Sequence, residues 1–561
     1  MIPAAAPAAP PTAGVMTRRL DGVALFGLAL LINAVAAHFI SQPGYTDAYY
    51  YFGGARQLAM GQGFSEPYLW NYLAPVPALA PGQPLWPSHL YWMPLVSILA
   101  APFMAGVRRL AADNLSNSTL FRAAQLPFLL LASALPVLSY FVAQLVGGAR
   151  RHAMAAGLLT LFSPFYFVFW TTTDAFALYA LAAAGALVCM ALAMIRPAQA
   201  QGWLFGAGLA AGLAHLTRAD GVLLILCVGL WVALHPIGGL GWRGRLVSGT
   251  VLLAGYALVM VPWFWRNWVI AGAPLGPGGM RTLWLTNYDD LFTFTPERLS
   301  AAAYLAAGAG TILAGKWSAF LANAQTVIAV QCGIIAFPFV LIGLWRLRRV
   351  ALIQLAVLYW LVLLAAMTLV FTFPGARGGY FHSGAALLPF FMPCAVLGLD
   401  AAVESTARRL RHWQPARSKP IFTGLLVGGA TLLTAAVFWM RVIGPDASQP
   451  AWQDSERAYG QVGAWLTTHG QSAVIAAVND PPGWNYWTGW PAIVIPNSDA
   501  DTLQTAMTTY GAHFVVLDTN RPAALSGLYA NPNSLSTLLL RARFTNSAGQ
   551  PVYLLELVPA P

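Results

Sequence analysis

The chain has 561 residues, of which 58% are hydrophobic and only 9% charged, where an ordinary soluble domain carries about a quarter charged residues. A water-facing surface cannot be built from that inventory, so a purely soluble enzyme is excluded. The net charge of +11 does not point to nucleic acid either, because Lys and Arg sit between apolar runs and not on one soluble face.

The tail before Arg18 is rich in Ala and Pro and reads as disordered, which sets a first segment at 1–21. Apolar runs long enough for a hydrocarbon core of about 30 Å predict about eleven spans, at 22–40, 123–146, 153–170, 175–195, 203–217, 219–235, 247–265, 322–344, 351–372, 383–402 and 421–440. Arg18 and Arg19 ahead of Ala34-Val35-Ala36 imitate a secretory signal, but the stretch exceeds the usual h-region and reads as an uncleaved first span. The run at 91–107 is short, contains Pro94 and Pro102, and reads as a helix lying partly in the interface. Cys189, Cys227, Cys332 and Cys394 fall in or beside spans, with neither a disulfide framework nor a metal spacing.

Loop charges set the topology. With the N-terminus inside, the inner loops hold Arg18/Arg19, Arg150/Arg151, Arg196, Arg243/Arg245, Arg346/Arg348/Arg349 and the run Arg408, Arg409, Arg411, Arg417, Lys419, as the positive-inside rule requires. Arg108-Arg109 is the misfit. The outside then holds long loops at 41–122 and 266–321 and a segment 441–561. In that last segment β-type runs (Val474 to Val478, Ala492 to Ile495, Phe514 to Leu517, Val552 to Leu557) alternate with helical stretches, which suggests a small α/β domain. The expected fold is therefore a polytopic α-helical membrane protein, its membrane domain at 22–440, with a small C-terminal α/β extracytoplasmic domain.

The first loop opens Gly44-Tyr45-Thr46-Asp47-Ala48-Tyr49-Tyr50-Tyr51-Phe52, then Ala55-Arg56-Gln57-Leu58-Ala59 and Gly61-Gln62-Gly63-Phe64. Asp47 thus sits at the start of a short helix just beyond the first span, either as a helix cap or as a carboxylate poised beside aromatic rings. An Asp followed by aromatics and an A-R-x-L-A-x-G-x-G-F pattern resembles the GT-C glycosyltransferases, polytopic enzymes that use polyprenyl-phosphate sugars. The resemblance continues through Pro164 to Asp174, Leu216-Thr217-Arg218-Ala219-Asp220-Gly221, Pro262-Trp263-Phe264-Trp265-Arg266-Asn267 and Gly278 to Asp289, covering roughly 22–400.

The resemblance implies an inverting glycosyltransferase in the cytoplasmic membrane of a prokaryote, moving a sugar from a polyprenyl-phosphate donor to an external glycan, lipid or protein. It implies that Asp47 is the general base or a metal ligand and that Asp174 is a second external carboxylate. Ala48 stands where some members carry a paired acid, which leaves a divalent metal (Mg or Mn) open; His89 with Asp47 is one candidate pair for it. The leaving phosphate needs cations, and Arg281, Arg266, Arg218, Arg377 and His382 are the candidates. Arg281 is preferred, because Arg266 also reads as an interfacial anchor and Arg218 as a partner of Asp220. Tyr50, Glu66, Tyr72, His89, Trp284 and Tyr288 are candidate sugar or acceptor contacts, and the Pro-rich run 75–87 reads as a semi-rigid loop. The rivals are a flippase or transporter of lipid-linked sugars, against which the absence of an internal repeat speaks, and a non-catalytic envelope assembly protein.

Overall fold

The computed structural model of the chain describes residues 13–74, 85–111, 115–235, 241–410, 413–445, 450–453 and 457–558. The first twelve residues of the tail, most of the Pro-rich run and Arg411 lie outside the described residues. The first nine long helices are α1 (Ala13–Phe39), α2 (Thr46–Ala59), α3 (Leu95–Leu110), α4 (Asn117–Leu145), α5 (Arg150–Leu161), α6 (Phe176–Ile195), α7 (Ala200–Thr217), α8 (Val222–Leu234) and α9 (Trp242–Ala271).

Seven helices among the described residues are long and apolar enough to cross a membrane, and the chain is a multi-pass membrane protein. These seven coincide with seven of the eleven expected spans. The remaining four expectations fall on α5, α7, α8 and a broken segment. In that segment, expected as one span at 322–344, the helix Ala309–Gln325 passes into a π turn at Thr326–Gln331. Gly333 and Ile334 then both take positive φ (57° and 60°), and helix resumes only at Phe337–Arg346. Hydropathy registers the apolar run but not this break.

Small residues let the helices approach closely. A Cβ at Gly208 of α7 would run into the Leu252 carbonyl of α9, and one at Gly255 into the Phe205 carbonyl, so these two helices meet backbone to backbone. Gly343 and Gly398 do the same for Phe337–Arg346 and the helix Leu388–Arg409. The large side chains Leu253, Leu258 and Trp265 of α9 point outward and stay exposed, as expected for a face whose solvent is lipid.

Two ends of the bundle differ in chemistry. At one end Arg150 pairs with Asp21 at 2.7 Å, Arg151 and His152 meet Asp400 at 2.5 and 2.8 Å, and Lys419 meets Glu404 at 2.6 Å. The loop that follows α1 lies at the other end. There α3, sixteen residues long, packs Val96, Ser97, Ala100 and Met104 inward; at 1.5 Å per residue it extends about 24 Å, short of a hydrocarbon core.

The C-terminal α/β fold is not built from its own residues alone. Its six-stranded sheet has the order β2-β5-β4-β6-β8-β7, where β2 is Tyr68–Leu69, β4 Ile475–Val478, β5 Ala492–Val494, β6 Ala512–Leu517, β7 Leu538–Thr545 and β8 Pro551–Leu557. Strand β2 belongs to the first loop and pairs parallel with β5, Tyr68 opposite Ala492 and Leu69 opposite Ile493. Nearby, β1 (Ser65–Glu66) and β3 (Trp86–Pro87) form a two-stranded antiparallel ladder. The parallel strands β5, β4 and β6 and the antiparallel β8 match the four runs read from the sequence; β7, an edge strand carrying Arg541 and Arg543, is a further strand that the sequence reading did not include.

Candidate functional site

Asp47 sits in the first turn of α2, whose backbone cap is Tyr45. The helix N-terminus favours an anion there. Asp174 follows three buried threonines, Thr171 to Thr173, in the loop between α5 and α6. Pro164 stops α5 from continuing, and the Thr173 hydroxyl donates to the Ala48 carbonyl of α2 at 2.8 Å, which fastens this loop beside Asp47. His382 comes from far along the chain, on the short helix Tyr380–Gly384, after a turn in which Gly378 takes φ +144°.

These three side chains converge. His382 Nε2 is 3.2 Å from Asp174 Oδ2 and 3.7 Å from Asp47 Oδ2. One ligand atom from each of the three lies within 4.8 Å of the others. The His382 ring stacks on Phe176, with centroids 4.0 Å apart, and its Nδ1 lies 2.7 Å from the Gly378 carbonyl. A carbonyl only accepts, so Nδ1 carries the proton and, in the neutral ring, Nε2 presents its lone pair to two carboxylates. Three acceptors facing one another require a proton or a cation among them, and an imidazole with two carboxylates is a donor set that suits a divalent metal. The residues present therefore fit such an ion.

The two carboxyls are unlike. Asp174 is 1% exposed; it accepts from the Tyr45 hydroxyl at 2.6 Å and from the Ala175 amide. Burial works to raise its pKa, but the His382 charge and these hydrogen bonds outweigh it and hold Asp174 below the ordinary value. Asp47 has fewer partners: burial and then the Asp174 charge push its pKa up to about 6, against the pull of His382 and Arg218.

Asp47 and His382 line a cavity of about 490 Å³, which also takes in Arg218, Asp220, Tyr288 and Arg377. Arg218 pairs with Asp220 at 3.2 Å and donates to the Ser383 hydroxyl, and Ser383 in turn donates to Asp220. That triangle locks the 218–220 turn to the residue after His382. Arg377 stands over the Tyr288 ring at 4.9 Å and makes no salt bridge among the described residues. Of the lining arginines it is the one whose charge is not already spent.

Several expected site residues are placed elsewhere. Arg281 is not among the cavity's lining residues; its guanidinium lies 3.6 Å from Glu297. Arg266 is also outside the lining, donating to the Ser88 carbonyl at 2.7 Å and stacked over Trp263 at 4.7 Å. The pairing of His89 with Asp47 is corrected: Ser97 donates its hydroxyl proton to the Tyr51 carbonyl, so His89 Nε2 donates to Ser97 at 3.1 Å. His89 Nδ1 then accepts from Ser88 at 2.8 Å, and burial drives its pKa down to about 3. It borders the cavity with no nitrogen to spare, and the histidine beside Asp47 is His382.

Tyr50 is buried and accepts the His89 amide at 2.7 Å. Tyr72 is buried with its hydroxyl on the Val494 carbonyl of the C-terminal sheet. Glu66 is buried with Oε2 unpartnered, and Trp284 packs edge-on with Tyr304; none of these four lines the cavity, whereas Tyr288 does. Sequence reasoning missed Tyr45, although it stands two residues before Asp47 in the stretch that drew attention; Trp70 and Trp92, part of the first-loop polar and aromatic group that reads as suited to a sugar or a metal, form cavity wall, their rings 4.0 Å apart.

No family model matches the sequence, and no curated protein matches it. Solved structures do match. The archaeal oligosaccharyltransferase AglB from Archaeoglobus fulgidus, in complex with an inhibitory peptide and a dolichol-phosphate, aligns with a TM-score of 0.57 at 12% identity, over 95% of this chain and 74% of that one. The same enzyme in complex with Zn and sulfate gives 0.54 at 13%, over 94% and 72%. ArnT from Cupriavidus metallidurans bound to undecaprenyl phosphate gives 0.54 at 14%, over 95% and 97%. At such identities the likeness is one of fold.

Proposed function

We propose that this chain, which has the GT-C fold, is a membrane glycosyltransferase that moves one sugar from a polyprenyl-phosphate donor to an extracytoplasmic acceptor with inversion at the anomeric carbon. The observation that carries the reading is the meeting of Asp47, Asp174 and His382, the first and last of them lining one cavity, at the end of the bundle opposite its Arg-rich ion pairs. In a prokaryotic cytoplasmic membrane the positive-inside rule puts that cavity outside.

Asp47, held between ordinary carboxylate behaviour and neutrality, takes the proton of the attacking acceptor hydroxyl. Asp174 stays ionised with Tyr45 donating to it, and the Gly378 carbonyl fixes His382 in the tautomer that leaves Nε2 inward. Asp47, Asp174 and His382 would hold a divalent cation, which would supply positive charge near the donor phosphate. Arg377 provides a free guanidinium fork for the same phosphate, and Arg218 adds a second charge partly offset by Asp220. The Trp70 and Trp92 rings offer flat apolar faces to a sugar ring.

The test is reconstitution of the purified chain in liposomes with a labelled polyprenyl-phosphate sugar and an envelope extract as acceptor. Label is expected to leave the lipid and appear in acceptor material. If protein-containing liposomes leave every labelled donor as intact as protein-free ones, the reading is wrong.

A further inference from the structure

Trp452 lies on a 3₁₀ turn, Ala451–Gln453, between the last span and the C-terminal α/β fold. It is buried, 8% exposed. Its indole N–H donates to the Gln42 carbonyl at 3.0 Å. Its ring meets that of Tyr45 edge-on, 5.9 Å between centroids at 90°, and leans on Phe169 at 6.1 Å. Gly44, between these contacts, has φ +87°, and a Cβ there would run into the indole, so glycine is required both for the turn and for the tryptophan. Residues 42–45 are thus wrapped around a side chain more than four hundred residues away in sequence.

Tyr45 does two jobs at the site. Its hydroxyl donates to Asp174 Oδ2 at 2.6 Å and lies 3.1 Å from Thr172. Its carbonyl accepts the Tyr49 amide at 3.0 Å and closes the first turn of α2, the turn that carries Asp47. The ring is held in place by Phe169 at 5.5 Å on one side and Trp452 on the other. A shift of this ring displaces a partner of one carboxylate and the backbone of the other.

We infer that Trp452 is a positioning residue for the Asp47–Asp174–His382 site, acting through Tyr45, so that the seating of the 451–453 turn sets the cation affinity of the membrane domain. The inference rests on the cation-site reading given above. Residues orienting metal ligands from behind change affinity by about ten- to a hundredfold when removed.

Mn²⁺ binding to the full-length chain in detergent, followed by electron paramagnetic resonance, needs no donor or acceptor. Trp452→Ala is expected to weaken Mn²⁺ binding about tenfold or more, and Tyr45→Phe, which loses only the hydroxyl, by a similar factor. Because the two act in series, Trp452→Ala adds less than about threefold in the Tyr45→Phe background. Trp452→Phe, which keeps an aromatic edge against Tyr45, retains most of the affinity. If Trp452→Ala does not yield a monodisperse protein, Trp452→Leu fills the same space without the ring and carries the same expectation. Native affinity in the Ala or Leu variant, fully additive losses in the double variant, or no Mn²⁺ binding by the native chain each overturns the inference. Mn²⁺ binding in this pattern without any sugar transfer overturns the proposed function alone.

Discussion

Glu66→Gln is expected to stabilise the protein above neutral pH, by an amount fixed by where Glu66 lies. The side chain is 9% exposed, with Oε2 unpartnered. Burial pushes its pKa from 4.5 up to about 8, against smaller opposing effects of a Tyr50 hydrogen bond and the Arg266 charge. The folded chain therefore keeps this proton up to about pH 8, whereas the unfolded chain releases it near 4.5. Between those values the unfolded state binds fewer protons, so stability is full below 4.5, falls as pH rises, and levels off above 8. At about 1.4 kcal/mol per pKa unit, the whole loss has a ceiling of about 5 kcal/mol. Gln keeps the shape and a hydrogen-bonding group but does not titrate. Thermal unfolding of the purified protein in detergent, followed by tryptophan fluorescence from pH 5 to 9, reads the difference. The native midpoint should fall with pH relative to that of the Gln variant, the gap growing up to pH 8. Parallel curves for the two proteins would refute the buried, protonated Glu66.

Arg377→Ala should lower kcat/KM for the lipid donor about a hundredfold, while Arg281→Ala, which breaks only an ion pair with the exposed Glu297, should stay within about threefold; steady-state kinetics with both variants decides between the two arginines. The donor-transfer rate should fall on acidification, because Asp47 must be unprotonated both to act as base and to hold a cation, and a rate undiminished down to about pH 4 would speak against that role. Tyr72→Phe removes a hydrogen bond to the Val494 carbonyl and should cost about 1 kcal/mol, seen as faster proteolysis of the segment after 457 in native membranes.

What the sequence disclosed and what it hid divide along physical lines. Continuous apolar runs located the membrane helices because a hydrocarbon solvent acts on every residue of a span, yet the same signal passed over the break at Gly333 and Ile334, which is a matter of backbone torsion. Asp47 and Asp174 were legible through the resemblance, each carried by a local motif at the mouth of a span. His382 was noticed as a phosphate ligand, but its true neighbours are two carboxylates 208 and 335 positions away, and only the fold reveals them. Arg281 looked free because Glu297 lies beyond any local pattern. His89 looked available because its tautomer depends on what Ser97 does with its own proton. Strand β2 is two residues long, too short for any periodicity, and is a strand only because β5 lies beside it.

The central claim is that Asp47 takes the proton of the acceptor in a cavity that it lines with His382, beside the buried Asp174. Its most direct test compares sugar transfer from a labelled polyprenyl-phosphate donor by the native chain and by Asp47→Asn in matched membranes, with Mn²⁺ saturating. Asn preserves the size and the place in the first turn of α2 and removes the base. A drop in kcat of about a hundredfold or more, with donor KM little changed, is the predicted result; transfer by Asp47→Asn at the native rate would contradict the account.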